Sequence, residues 1–141
     1  PHQRKWKVLV VDDEHEVHSI TALVLRDFRF EGRGLEFFHA YSSLEAKQVI
    51  KENSGISIIL LDVVMENEHA GLSLVHWIRE ERKDPLVRII LRTGQPGVAP
   101  EKEIITKYDI NDYKEKTELT DTKLWTTVTV AFNHQPQPDR P

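Results

Sequence analysis

Residues 58–62 read Ile58-Ile59-Leu60-Leu61-Asp62, four bulky apolar side chains running into a carboxylate. A run that apolar and that short is a strand buried on both faces, the pattern found in the middle of a parallel sheet. Its last residue is one that a core rejects. Burying a bare carboxylate is costly, so Asp62 must be hydrogen-bonded, paired with a cation or used chemically. A second apolar run, Lys7-Val8-Leu9-Val10-Val11, also ends in acid, at Asp12-Asp13-Glu14.

Outward from these two strands the chain alternates. Val17, Ile20, Val24 and Phe28 recur at helical spacing and predict a helix from near Asp13 or Glu14, broken by the two glycines of residues 29–34. Leu35 to Tyr41 is a more mixed strand, hence nearer an edge of the sheet. Ser42-Ser43-Leu44-Glu45 has the form of a capping box, opening a helix to about Asn53 that Gly55 is placed to end. The strand from Ile56 follows, then a loop over 63–70, and Leu72, Val75 and Ile78 mark a helix that stops before Pro85. Val87 to Leu91 is a fourth strand, Thr93-Gly94-Gln95-Pro96-Gly97 a loop, and residues 101–108 a short helix behind Pro100. Ile110 to Tyr113 is a brief fifth strand and Lys114 to Leu119 a loop. Thr120 or Asp121 caps a last helix through Leu124, Val128 and Ala131.

Residues 6–133 thus read as one domain, with 1–5 a disordered lead-in and the polar, Pro-rich 134–141 a linker or tail. With 19 Lys plus Arg against 23 Asp plus Glu, the net charge of -4 gives no electrostatic reason to expect nucleic acid binding. There is no cysteine, so no disulfide and no thiolate chemistry. No apolar run approaches membrane-spanning length and no signal-peptide pattern opens the chain, so a cytoplasmic location and no membrane contact are the expectation.

Five strands alternating with helices make an α/β, doubly wound parallel sheet, whose working site lies beyond the carboxyl ends of the strands. That rule gathers Asp12 and Asp13 after the first strand, Asp62 at the end of the third, Thr93 after the fourth and Lys116 after the fifth. Carboxylates converging there repel one another unless a divalent cation sits among them, and Mg2+ suits an oxygen-only set. One carboxylate can attack phosphorus to give an acyl phosphate, while a hydroxyl and an ammonium hold the phosphoryl oxygens. Thr93 and Lys116 are the right chemical types for that.

The acidic pair in VLVVDDE, the apolar run into LLDVVM, LRTG after the fourth strand and DYKEK after the fifth together resemble the receiver domain of a two-component response regulator, over roughly residues 5 to 133. The resemblance implies a flavodoxin-like (CheY-like) (βα)5 fold with strand order 2-1-3-4-5. It implies that Asp62 is phosphorylated from a histidine kinase or phosphotransfer protein, that Asp13 ligates Mg2+ directly and Asp12 directly or through water, and that the backbone carbonyl of Val64 is a further ligand. Thr93 and Lys116 would hold the phosphoryl group and Tyr113 would change rotamer on activation. The Asp-Tyr-x-x-Lys pattern favours Lys116, with Lys114 the alternative. The output would be a module in the same chain or a partner protein, with room for a phosphorylation-dependent dimer, and the domain itself would be a switch rather than an enzyme with turnover. Thr117 stands where the family usually has proline, and Glu66 where proline is common. The extra RFEGRG segment and GQPGVAPEKE resemble receivers attached to cyclic-di-GMP or HD-type output modules.

Plainer roles exist for each residue. Asp13 with Glu16 could cap a helix, Thr93 could serve only a turn, Lys116 could be a solvated lysine, and Tyr113 could be half-buried packing. His15 and His18, three apart on a helix, lack a third ligand and read as solvated, and Trp6, Trp77 and Trp125 as packing. Two other functions compete: an aspartyl-nucleophile phosphohydrolase, which wants an Asp-x-Asp that the first strand lacks, and a degenerate receiver used only for docking. A nucleotide-binding sheet would need a Gly-rich turn after the first strand, and none is present.

Overall fold

A computed structural model describes residues 4–63, 65, 69–93, 106–107, 109–115 and 121–134. The chain runs β1 (Trp6–Val11), α1 (His15–Val24), β2 (Leu35–Ala40), α2 (Ser43–Glu52), β3 (Ile56–Asp62), α3 (Ala70–His76), a π-helical turn (Trp77–Glu81), β4 (Arg88–Thr93), β5 (Asp112–Glu115) and α4 (Asp121–His134). The five strands form one parallel sheet in the order β2-β1-β3-β4-β5. This is the expected doubly wound, flavodoxin-like sheet, with the mixed β2 at an edge. The short helix expected over 101–108 falls largely outside the described residues.

Successive residues on each inner strand face opposite ways, so every one of these strands feeds two cores. Leu9, Val11, Ile59, Leu61, Ile89 and Leu91 pack with Leu74, Val75 and Ile78 of the α3 segment, and Val8, Val10, Ile58, Leu60 and Ile90 pack with Leu25, Phe28, Leu124, Val128 and Phe132 beneath α1 and α4. All seven residues of β3 are buried. At about 1.5–3 kcal/mol for each fully buried large apolar side chain, this double burial fixes β3 at the centre.

Local signals set the helix ends. Ser42 caps α2, its hydroxyl accepting from the Glu45 amide at 3.2 Å, while Glu45 accepts from the Tyr41 amide at 3.1 Å. Gly55 turns the chain after α2 at φ +78°. The expected β4 and β5 ranges are corrected: β4 runs through Thr93, and β5 begins at Asp112 and includes Lys114 and Glu115. Asn111 explains the second shift, because its amide donates to the Ile89 carbonyl at 2.8 Å and its side-chain oxygen accepts from the Ile89 amide at 2.6 Å. Ile110 is thereby held ahead of the ladder.

The stripe expected on α1 is corrected in part. Val24 packs on the core and Phe28, in the turn after the helix, is buried, but Ile20 is 49% exposed and the inward face of α1 carries His18 and Thr21. The first turns of α1 lie over the acid end of β1, where polar partners wait, and only its last turn reaches the apolar core.

Candidate functional site

Three strand ends build the site. Asp12, immediately after β1, is fully buried, Asp62 at the end of β3 is buried, and Asp13 is exposed. One carboxylate oxygen of each lies within 4.8 Å of the others. Opposite oxygens around an octahedral Mg2+ stand about 4.2 Å apart, so a small closure or a bridging water would bring this oxygen-only set onto the ion. The residues present therefore fit the metal that the chemistry asks for. Asp12 is oriented by its Oδ1, which accepts from the Glu14 amide at 2.9 Å, and by its own amide, which donates to the Ala40 carbonyl at 3.1 Å. The N-cap position of α1 is Glu14 rather than Asp13.

Thr93 is buried as the last residue of β4, and Tyr113 is half-buried against the core on the α3 side. Lys114 pairs with Asp112 at 3.8 Å and stands beside Arg92 in the β4–β5 register. Val64 and Lys116 lie outside the described residues, as do Glu66 and Thr117.

Three residues of the site were misread or passed over in the sequence. His18 is corrected from solvated to buried, at 3% exposure. Its Nε2 lies 2.8 Å from the Asp12 carbonyl oxygen and must carry the proton, so its Nδ1 accepts from His39 Nδ1 at 2.8 Å. Burial holds both imidazoles below their ordinary pKa, and for His39 the neighbouring His18 adds to the effect. His15 is exposed and stacks on Tyr41 at 4.3 Å between ring centres.

Arg92 is the second. It is 3% exposed, and its Nη1 donates to the Thr21 hydroxyl at 2.9 Å. Burial pushes its pKa down to about 10, against the opposing pull of Asp12 and Asp62. The signal was in plain sight: an arginine inside Ile-Ile-Leu-Arg-Thr is as foreign to a buried strand as Asp62 is to its own. The third is Gly71, whose amide donates to the Val63 carbonyl at 3.0 Å. A Cβ there would sit 2.5 Å from the Asp62 carbonyl oxygen and 2.7 Å from Val63, so α3 abuts the end of β3 only because residue 71 has no side chain.

Comparison with known proteins agrees with this architecture. Residues 8–128 match the family described as response regulator receiver domain. The chain is 55% identical over 124 residues to the 3'3'-cGAMP-specific phosphodiesterase 2 of Vibrio cholerae, a match covering 88% of this chain and 24% of that protein. It thus spans about a quarter of that relative's length. Among solved structures, a response regulator receiver domain protein from Clostridium thermocellum superposes with a TM-score of 0.75 at 24% identity, covering 91% of this chain and 94% of the other. The signal receiver domain of an HD domain-containing protein from Pseudomonas fluorescens gives 0.72 at 21% identity, covering 94% and 98%.

Proposed function

Because the chain belongs to the response regulator receiver family, we propose that Asp62 accepts a phosphoryl group beside a divalent cation held by Asp12, Asp13 and Asp62. The observation that carries this is the meeting of the three carboxylates at the carboxyl end of the sheet, two of them buried. In the transfer, an Asp62 oxygen bonds to phosphorus as the bond from phosphorus to the donor imidazole nitrogen breaks; with the donor's other ring nitrogen protonated, the products are an aspartyl phosphate and a neutral histidine. Bound Mg2+ would neutralise charge on the phosphoryl oxygens. Asp12, fixed by the Glu14 amide and the Ala40 carbonyl, and Asp13, open to solvent, would hold the ion. Thr93, buried at the end of β4, and Lys116, with Lys114 as alternate, would receive the phosphoryl oxygens, the Val64 carbonyl would complete the ligand set, and Tyr113 would relay the change.

The domain acts as a switch whose turnover is limited to its own phosphorylation and slow hydrolysis. Its donor is a histidine kinase or phosphotransfer protein. That this chain spans about a quarter of the relative's length supports an output module beyond this domain, and the relative's 3'3'-cGAMP specificity suggests a cyclic dinucleotide as what that module acts on. No described helix is long and apolar enough to cross a membrane, and a cytoplasmic location suits a phosphohistidine donor.

Acetyl phosphate with Mg2+ tests the site. Intact-mass analysis should show one added phosphoryl group, stable in acid and labile in base, and Asp62→Asn should abolish it. Labelling that survives in Asp62→Asn would reject the assignment.

A further inference from the structure

Asp12, Asp62 and Arg92 form a row. Val11 pairs with Leu61 and Asp62 pairs with Arg92, so Asp12, one residue beyond Val11, stands beside Asp62. Strand alternation puts all three on the face that carries Val10, Leu60 and Ile90, beneath α1. Like charges on neighbouring strands destabilise a sheet and opposite charges stabilise it. The row therefore reads carboxylate, carboxylate, guanidinium, with its cation covalently built in at one end.

We propose that Arg92 is a fixed internal counter-charge to Asp12 and Asp62, a positioning residue that sets how tightly the acid cluster takes a divalent cation. This rests on reading the acid cluster as a cation seat. The guanidinium is buried, and it anchors to α1 through the Thr21 hydroxyl. Its Nε and Nη2 find no hydrogen-bond acceptor among the described residues, so its charge is not consumed by a local partner. A buried positive charge beside the seat does two opposing things. It relieves the repulsion between the two buried carboxylates when no ion is bound, and it repels an ion that arrives. The result is a seat that is tolerable when empty and weak when filled, so that the ion binds firmly only when phosphate oxygens add their own negative charge.

The test is Mn2+ binding, followed through the electron paramagnetic resonance of free Mn2+, with Mg2+ added as competitor. Wild type is compared with Arg92→Met, Arg92→Gln, Arg92→Lys and Thr21→Val. Arg92→Gln is a second neutral variant whose amide can still bond Thr21, should Arg92→Met fold poorly. Removing a unit charge close to a divalent ion should tighten binding by about tenfold or more in both neutral variants, even after solvent screening. Arg92→Lys and Thr21→Val, which keep the charge, should bind as wild type does. A thermal unfolding scan should show Mn2+ raising the midpoint further in the neutral variants than in wild type. A residue that merely anchors α1 would weaken binding when removed, so neutral variants that bind equally or more weakly would overturn the role of Arg92 alone. Absence of Mn2+ binding in every protein would overturn the cation seat, and this inference with it.

Discussion

His18 shows how a side chain far from the reaction still bears on the site. It bridges the Asp12 carbonyl on β1 and His39 on β2, holding α1 over the acid cluster. Because burial lowers both imidazole pKa values, the unfolded chain, with histidines near the ordinary value of about 6.5, binds protons more readily than the native state. Stability therefore rises with pH through that window; it is fully present above about pH 6.5 and is lost as pH falls below it. Urea titrations at about pH 7.5 and pH 5.5 should show this loss in wild type. In His18→Gln, whose amide can make both bonds without titrating, the loss should be smaller, and equal losses would show that the pair does not titrate this way. The three acids were legible because each ends an apolar run. His18 was not, because its burial depends on a histidine 21 residues away on β2.

At the scale of elements, the contact of α3 with β3 is the tightest constraint. Gly71 lets the helix start directly against the Asp62 carbonyl. Gly71→Ala must push backbone against backbone, so it should cost about 1–3 kcal/mol in urea unfolding, the range for overpacking a close contact. A loss below about 0.5 kcal/mol, the scale of a neutral surface change, would mean that the helix is free to shift. Apolar patterning located the strands but not their ends. β4 extends through Arg92 and Thr93, and β5 through Lys114 and Glu115, because parallel pairing joins backbones and continues past the last hydrophobic side chain. Helix spacing placed Val24 and Phe28 against the core but turned Ile20 inward in place of His18 and Thr21, polar residues buried by polar partners.

For the whole molecule, strand order decides where chemistry can occur. β1 has β2 on one side and β3 on the other, so the chain reverses its direction of growth at β1, and Asp12, Asp13 and Asp62 meet at the carboxyl ends of the strands beside that switch point. The parallel sheet followed from alternating apolar runs and helices, and its strand order from the resemblance to receiver domains. The contacts that close the far side did not. Trp6 of β1 packs on Phe30 at 5.9 Å and Phe132 of α4 at 5.2 Å, with the Arg33 guanidinium 3.6 Å from its ring centre. Such a cluster draws on three distant segments, and no single stretch announces it. The central claim is that the three carboxylates share one cation, and backbone amide NMR of the isotope-labelled protein under Mn2+ titration tests it most directly. Sub-stoichiometric Mn2+ should first broaden the amides of residues 11–14 and 61–63, and Mg2+ should restore them. Broadening centred on His15, His39 or the acidic residues of the helix surfaces, with the strand-end amides left sharp, would contradict it.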